Sequence, residues 1–315
     1  MEHPRSRGPC RGCRRTRPGR RWSRMRTSVV TVVSGRHDHL RTQLRRLRGS
    51  TVAAHDHVVV AMGDRAVTDI VAEHSDATRS VWIPASTDEL PLARARNLGA
   101  EAAIDRGADL LVFLDVDCVP HPRMLGRYER GAATAQHRDT VLCGPVTYLD
   151  AEASTRIREY PGAGVPPVAP HPARPAPPDG TVLVDDRYEL FWSLSFAVRP
   201  RVWQRLGGFC EDYTGYGGED TDFAQVAAAA GVGLAWVGGA DAFHLHHRVS
   251  DPPVEHLDDI LRNAAIFERR WGWWPMRGWL DAFESRGLIR FDEQSKAWSR
   301  PNAAPVGPVL PALHE

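Results

Sequence analysis

Lysine is nearly absent from this chain: Lys296 is the only lysine among forty basic residues. We attribute this to a biased, GC-rich coding background rather than to function. On such a background a high arginine count is weak evidence for a nucleic-acid interface. We therefore predict no nucleic-acid partner.

Cysteine and long apolar runs are also scarce. The chain has five cysteines, an odd number, and the pair Cys10 and Cys13 has no second pair to complete a zinc site. No apolar run reaches the ~18 residues that span a bilayer, and the amino terminus lacks the apolar core of a signal peptide. These absences predict a cytoplasmic, reducing setting, with at most peripheral contact with the inner face of the membrane.

Charge is unevenly distributed, although the net charge is only +1. Residues 1–27 hold ten arginines and one acid, whereas the rest of the chain has 30 basic and 38 acidic residues. This composition predicts that 1–27 is a disordered basic tail. Two alternatives are that translation begins at Met25 and that the tail contacts acidic lipid headgroups.

The rest of the chain predicts an α/β fold. Short β-branched runs such as Val29–Val33 and His57–Ala61 alternate with helical patterns such as Leu92–Arg106. This alternation is typical of a mostly parallel, doubly wound sheet. A hydrophobic content of 42% agrees with an ordinary globular protein.

Three segments in the second half of the chain do not follow this alternation of strands and helices. Eight of the 21 residues in 160–180 are proline, which predicts a mobile insert outside the core. Residues 257–300 are predicted to form a helical carboxyl-terminal extension, and 301–315 a loose tail. The four tryptophans between Trp271 and Trp279 indicate helix packing, with a membrane-surface contact as the alternative.

Asp115 and Asp117 follow the apolar run Leu110–Leu114, which predicts a buried strand. Ligands of parallel sheets bind beyond the carboxyl ends of the strands, and side chains two residues apart share a face. Two converging carboxylates repel each other unless a cation lies between them, and oxygen ligands suit Mg²⁺ or Mn²⁺. The alternative is a surface pair of acids in a loop.

Gly217–Asp222 combines two glycines with three acids at the predicted start of a helix. Gly217 and Gly218 allow the backbone to approach a ligand closely, and a carboxylate there can act as a general base for a hydroxyl. Because acids are also preferred at helix starts, the alternative is that Asp220 or Asp222 caps the helix.

Three histidines, His244, His246 and His247, lie within four residues. If residues 242–246 form a strand, His244 and His246 share a face, as two ligands of one metal would. The alternative is that these histidines form structural hydrogen bonds.

The order of these motifs resembles that of inverting glycosyltransferases of the GT-A fold. The similarity covers roughly Val29 to Trp279 and includes D-x-D at 115–117, L-G-G-F at 206–209 and G-Y-G-G-E-D-T-D at 215–222. The last segment is most similar to the carboxyl-terminal motif of the β-1,4-galactosyltransferases and their bacterial family-two relatives. The resemblance implies a single GT-A domain over 28–256.

The resemblance also implies an activity. A sugar would move from a nucleotide-diphosphate donor, a UDP-sugar more than a GDP-sugar, to a hydroxyl of a saccharide, lipid-linked or small-molecule acceptor. The cofactor would be Mn²⁺ or Mg²⁺, bound by Asp117 with His244 and His246, or with His247 if the strand ends early. Asp220 would be the base that deprotonates the acceptor.

The resemblance assigns further residues to substrates. Glu219 would hydrogen-bond the acceptor. The other substrate-binding residues would be Ser34, Gly35 and Arg36 around the nucleoside, Asp64 at the base, Arg96 and Asn97 beside the donor, Asp115 at the ribose, Trp192 and Tyr216 as sugar-stacking rings, and Gly218. Two alternatives are that Arg96 is an exposed helix residue and that Trp192 lies in a core strand.

The chain departs from the galactosyltransferase pattern in three ways: no transmembrane anchor, the insert at 160–180, and Tyr216 in place of a tryptophan. Because of these departures, the resemblance does not identify the acceptor. One rival function is a nucleotidyltransferase of similar fold. That class normally has a first loop rich in glycine and in lysine or arginine. Residues 34–36 contain too few of these residues to form such a loop. The other rival is a non-catalytic protein that binds nucleotide-sugars, although the intact acids argue against it.

Overall fold

The apolar runs of the sequence form the strands of a central sheet, and the acidic motifs lie at its carboxyl edge. The computed structural model describes residues 25–74, 77–86, 89–160, 164, 169–248 and 250–301. Most of the predicted basic tail, nearly all of the carboxyl-terminal tail and part of the Pro-rich insert therefore lie outside the described residues.

The described residues contain thirteen strands and nine α-helices. The strands are β1 (Thr27–Val33), β2 (Asp56–Met62), β3 (Thr78–Ile83), β4 (Leu110–Leu114), β5 (Cys118–Pro120), β6 (Thr140–Cys143), β7 (Val146–Tyr148), β8 (Val182–Asp185), β9 (Ser195–Val198), β10 (Gly233–Val237), β11 (Ala242–His244), β12 (Arg290–Asp292) and β13 (Ala297–Ser299). The helices are α1 (His37–Arg48), α2 (Ala66–Ala72), α3 (Leu92–Asp105), α4 (Met124–Ala133), α5 (Ala151–Glu159), α6 (Pro200–Leu206), α7 (Glu219–Ala229), α8 (Leu257–Trp271) and α9 (Arg277–Ser285).

The central sheet has eight strands in the order β3-β2-β1-β4-β9-β6-β10-β8. Six of these strands point the same way, whereas β8 and β9 run antiparallel to their neighbours. The prediction of a mostly parallel α/β sheet is therefore confirmed. Because β1, β2 and β4 are parallel neighbours, the loops that follow them meet at one edge of the sheet.

A second, three-stranded sheet extends this edge. In it, β11 lies between β5 and β7. His244 at the end of β11 is opposite Cys118 of β5 and Tyr148 of β7. Since β5 begins directly after Asp117, this pairing brings the histidine cluster next to the D-x-D motif.

An aromatic cluster in the core supports the L-G-G-F turn. Phe113 stacks on Phe196 with ring centroids 4.5 Å apart, and Phe209 stacks on Phe223 at 4.7 Å. Burial of each such side chain contributes roughly 1.5–3 kcal/mol to folding. The guanidinium of Arg96 lies 5.2 Å from the Phe209 centroid, so the core continues directly into the carboxyl edge.

Part of the Pro-rich insert packs against the sheet. Arg174 is 5% exposed, and its guanidinium lies between the rings of Trp192 and Trp236, 5.0 and 4.8 Å from their centroids. Aromatic faces stabilise such a cation. The prediction that this insert lies outside the core is therefore wrong at Arg174, because proline content does not reveal which side chain finds an aromatic site.

The carboxyl-terminal extension is only partly helical, which corrects the prediction for 257–300. After α8 and α9 the chain forms an antiparallel hairpin of β12 and β13. Trp271 donates a hydrogen bond to Asp222 at 2.7 Å, and the Trp279 ring lies 5.8 Å from that of Tyr216. These contacts favour the packing interpretation of the tryptophans. Within the described ranges, no helix combines the length and the hydropathy that crossing a bilayer requires.

Candidate active site and metal centre

Asp117, His244 and His247 converge at the carboxyl edge of the sheet. One potential ligand atom from each lies within 4.8 Å of the other two, and His247 Nε2 is 3.6 Å from Asp117 Oδ2. A carboxylate oxygen with two imidazole nitrogens suits Mn²⁺ and other divalent transition metals. These residues therefore fit a metal centre.

His246, which was predicted as a metal ligand, is not part of this cluster. Strand β11 ends at His244, and the next N–H, that of Leu245, donates to the Asp117 carbonyl at 2.7 Å. The His246 N–H then donates to Ser154 Oγ at 2.7 Å, and the His246 side chain is exposed. Because the alternation of a strand stops at this turn, His247 occupies the place predicted for His246.

Side chains from the loop after β1 and from the first turn of α1 orient Asp117. His39 Nδ1 contacts Asp117 Oδ1, and Arg36 Nε lies 3.8 Å from the same oxygen. Burial by itself would raise the pKa of Asp117, but His39, Arg36 and His244 together hold this pKa below its usual range. Asp117 is therefore anionic at neutral pH, as a metal ligand must be.

His244 is neutral in this environment. Burial lowers its pKa to about 4, despite the opposing charge of Asp117. A neutral imidazole keeps a lone pair for a metal. The Tyr148 ring stacks on the His244 ring with centroids 4.6 Å apart, so strand pairing and ring stacking together hold His244 in place.

A buried arginine connects the D-x-D motif with the G-G-E-D motif. Arg96 is 4% exposed and donates to Asp115 Oδ1 at 3.1 Å and to Glu219 Oε1 at 3.0 Å. Burial raises the pKa of Asp115 above its usual range, although Arg96 opposes this effect. Arg96 is thus not an exposed helix residue but the link between two acidic motifs that lie far apart in the sequence.

Asp220 lies beside this link, in the first turn of α7. Its Oδ1 accepts the Thr221 N–H at 2.7 Å. Burial and the charge of Glu219 raise the pKa of Asp220 to about 7, against the influence of Thr221 and Arg96. A carboxylate with a pKa near neutrality is well matched to accepting a proton from a hydroxyl.

The extension holds the start of α7 in position. Asn263 of α8 donates hydrogen bonds to three backbone carbonyls of the loop before α7. Gly218 has a φ of +94°, and a Cβ there would lie 3.1 Å from the Tyr213 ring. Asp222 accepts hydrogen bonds from Tyr213 and Trp271. Asp222 therefore joins α7 to α8, which the capping alternative did not foresee.

The residues predicted around the nucleoside lie together. Asp64 Oδ2 accepts the Gly35 N–H at 2.9 Å and contacts His37 Nε2 at 2.7 Å. Gly35 and Arg36 both have positive φ, +61° and +50°, so the loop turns sharply after Ser34. The structure thus brings Ser34, Gly35, Arg36 and Asp64 to one corner of the carboxyl edge.

Asn97 and Trp192 both contact protein groups that the sequence did not predict. The Asn97 side chain exchanges two 2.9 Å hydrogen bonds with the Phe209 backbone, so it holds the L-G-G-F turn. That Asn97 borders the donor stays a prediction. Trp192 lies before β9, with Arg174 over its ring and His171 at its edge. The Arg174 guanidinium therefore occupies one face of the Trp192 ring, and Trp192 does not lie in a strand. A sugar-stacking role for Trp192 stays a prediction.

Tyr216 is accessible to solvent, with a side chain that is 37% exposed, and its role as a sugar-stacking ring stays a prediction. Sequence reasoning missed three residues of the site: His39, Tyr148 and Asn263. His39 had a visible signal, since it closely follows the predicted nucleoside loop. Tyr148 and Asn263 had none, because their roles come from contacts with residues far away in the sequence.

We expect His39→Ala to raise the Kd for Mn²⁺ by about 10- to 100-fold, the usual effect of losing a residue that orients a metal ligand. Isothermal titration calorimetry with Mn²⁺ measures this change. The matched control is His37→Ala, since His37 contacts Asp64 and not Asp117. Equal Mn²⁺ affinities in the two variants would contradict an orienting role for His39.

We expect Arg96→Met to lower the free energy of unfolding by about 3–5 kcal/mol, because it leaves the buried Glu219 without its cation. The control is Arg201→Met, which breaks an exposed pair with Asp139 and is expected to cost at most about 1 kcal/mol. Urea denaturation of both variants tests the difference. Similar losses would show that the Arg96 link adds little to stability.

The chain is similar to known sugar-transferring proteins. Residues 182–248 match the family described as the N-terminal domain of galactosyltransferase. Two proteins named validoxylamine A glucosyltransferase, from Streptomyces hygroscopicus subsp. limoneus and subsp. jinggangensis (strain 5008), are each 28% identical over 225 residues. The alignments cover 65% of this chain and 48% and 52% of those proteins. The chain thus spans about half the length of these curated relatives.

A solved structure agrees with the fold. The crystal structure of GalNAc-T7 with UDP, GalNAc and Mn²⁺ matches with a TM-score of 0.54 at 12% identity, over 84% of this chain and 51% of that one. The family match at 182–248 includes the G-G-E-D motif and the histidines of the cluster. The structural match shows the GT-A fold. Together these findings support a glycosyltransferase with a carboxyl-terminal motif like that of the β-1,4-galactosyltransferases.

Proposed function

We propose that this chain is a metal-dependent, inverting glycosyltransferase that moves a sugar from a nucleotide-diphosphate donor to an acceptor hydroxyl. The observation that carries this proposal is the meeting of Asp117, His244 and His247 at the same edge as the linked acids Asp115 and Glu219. A site of this kind joins a metal centre to a base.

Each group has a separate task. A divalent cation held by Asp117, His244 and His247 would neutralise the diphosphate of the donor, which makes the diphosphate a better leaving group. Asp115 would hold the ribose beside it. The corner formed by Ser34–Arg36 and Asp64 would hold the nucleoside.

Asp220 would take the proton of the acceptor hydroxyl. The acceptor oxygen then attacks the anomeric carbon from the face opposite the diphosphate, a new C–O bond forms, and the bond to the diphosphate oxygen breaks. One such displacement inverts the anomeric configuration. Glu219, oriented by Arg96, would hydrogen-bond the acceptor.

The similar proteins suggest which donors to test first. The GalNAc-T7 structure contains UDP and Mn²⁺, and the two curated relatives are named for glucosyl transfer. We therefore propose a UDP-sugar donor, with UDP-glucose, UDP-galactose and UDP-GalNAc as the first candidates and GDP-sugars for comparison.

We expect the chain to release UDP from one of these donors with Mn²⁺ and to lose this activity in EDTA. Product NMR should show the anomeric configuration opposite to that of the donor. Retention of configuration would overturn the inverting mechanism. Pyrophosphate release from a nucleoside triphosphate would favour a nucleotidyltransferase, and donor binding without turnover would favour a non-catalytic binding protein.

A further inference from the structure

The D-x-D motif forms a tight turn between β4 and β5. The Cys118 N–H donates to the Asp115 carbonyl at 2.8 Å, three residues back, as in a β-turn. The Asp117 carbonyl accepts the Leu245 N–H at 2.7 Å. The backbone of a turn sets the direction of its side chains. A change in this turn therefore moves the Asp117 carboxylate relative to the two histidines of the metal centre.

One buried side chain, that of Gln43 in α1, bonds to both ends of this turn. Its Nε2 donates to the Asp115 carbonyl at 2.7 Å and to the Cys118 carbonyl at 2.8 Å. An amide NH₂ group has two protons, and these two bonds use both of them. Gln43 is 0% exposed, and hydrogen bonds are electrostatically stronger in such an interior than in water. Gln43 therefore ties the first and the last residue of the turn to α1.

A buried chain of hydrogen bonds fixes the orientation of the Gln43 amide. Its Oε1 accepts the Thr31 hydroxyl proton at 2.9 Å, and Thr31 Oγ1 lies 3.0 Å from His57 Nε2. Burial lowers the pKa of His57 to about 3, so its ring is neutral. Since a hydroxyl has one proton, His57 Nε2 is the donor to Thr31. A reversed amide would place its oxygen against two carbonyl oxygens, so only one orientation satisfies this chain.

Gln43 and His39 reach the D-x-D turn from the same face of α1, because they are four residues apart. His39 contacts the Asp117 carboxylate itself. Gln43 contacts the backbone on either side of Asp117. The helix thus supports this metal ligand twice, once at its side chain and once at its main chain.

We propose that Gln43 is a positioning residue for the metal centre, because its two hydrogen bonds hold the turn that carries Asp117. This inference rests on the proposed metal-dependent glycosyl transfer, and Gln43 acts through Asp117 rather than on the cation. Loss of a group behind a metal ligand commonly weakens metal binding. Without the amide the turn is free to relax, and Asp117 would spend less time within reach of the two histidines.

The test measures the Kd for Mn²⁺ at saturating UDP, by isothermal titration calorimetry and by the electron paramagnetic resonance of free Mn²⁺. We expect Gln43→Met to raise this Kd by about 10- to 100-fold. The Kd for uridine, which has no diphosphate to bind the cation, should stay at the wild-type level. Thr42→Ala is the matched control and should keep both values, since Thr42 is buried on the same helix and its hydroxyl bonds to Asp38 and Arg45 of that helix.

Two substitutions of Thr31 separate positioning from stability. Thr31→Val keeps nearly the same volume but removes the hydroxyl that orients the amide, so it should raise the Kd for Mn²⁺, although less than Gln43→Met. Thr31→Ser keeps the hydroxyl but loses a buried methyl group, so it should lower the urea midpoint and leave this Kd unchanged. A purely structural role would make the Kd follow the urea midpoint in all four variants.

Two outcomes would overturn the assignment of Gln43. One is a wild-type Kd for Mn²⁺ in Gln43→Met. The other is a Kd that rises as much in Thr31→Ser as in Thr31→Val, which would show that the hydrogen-bond chain acts only through stability. If Gln43→Met does not fold, the two Thr31 variants decide. A wild-type chain that binds no Mn²⁺ would instead remove the proposed metal centre, and the role of Gln43 with it.

Discussion

Asp220→Asn is expected to lower kcat for transfer by about 10²- to 10⁴-fold, the range that a general base contributes. The amide cannot accept the acceptor proton, but it occupies the same volume and can still accept the Thr221 N–H. The Kd values for UDP and Mn²⁺ should therefore stay at wild-type levels. Steady-state kinetics and calorimetry on the same preparation separate the two effects.

The control for Asp220 is Asp150→Asn. Asp150 is the N-cap of α5, and its side chain accepts the Ala153 N–H at 2.8 Å. If Asp220 were only a helix-start acid, both variants would lose at most a small amount of stability and keep their activity. Wild-type turnover in Asp220→Asn would remove Asp220 as the base.

The raised pKa of Asp220 predicts the pH profile. The base is active as the carboxylate, so activity should rise with pH as Asp220 loses its proton. Since its pKa is about 7, we expect the acidic limb of kcat/KM to lie well above the usual carboxyl range near 4. An acidic limb near pH 4 would contradict this assignment.

Asp117→Ala is expected to abolish Mn²⁺-dependent binding of UDP. It removes the only carboxylate of the described cluster with His244 and His247, and these two imidazoles are left without an anionic partner. The loss of affinity should exceed about 100-fold, the upper end of what losing an outer-shell partner costs. Calorimetry of UDP with and without Mn²⁺ measures it.

Asp109→Ala is the control for Asp117. Asp109 lies at the opposite end of β4, where it pairs with Arg26 at 3.1 Å. It should keep the Mn²⁺-dependent affinity for UDP, because it is at the amino edge of the same strand. Retained affinity in Asp117→Ala would show that the cluster is not the metal centre.

Local patterns were sufficient to predict the sheet and the position of its acids. A short uninterrupted apolar run such as Leu110–Leu114 favours a strand covered on both faces, and the acids that follow such a strand lie at the carboxyl edge of the sheet. Gly218 has a backbone conformation that other residues rarely adopt. The close approach of a ligand that the sequence predicts at Gly217 and Gly218 stays a prediction.

The side-chain alternation within a single strand gave a wrong prediction where a residue from another segment bonds to the chain. The alternation of β11 predicted His246, but Leu245 bonds to the Asp117 carbonyl and turns the chain, so His247 reaches Asp117. Likewise, the helix pattern around Arg96 says nothing about Glu219, which is 123 residues away.

By itself, the sequence determined the α/β fold, the order of its motifs and the residues able to act as base and metal ligands, because these follow from local periodicity and side-chain chemistry. Only the tertiary structure decided which of them meet. The contact of His39 with Asp117 and the place of Arg96 between two acids depend on strand order. The place of His247 beside Asp117 depends on the turn after His244. Those contacts join distant segments, and no spacing along the chain encodes them.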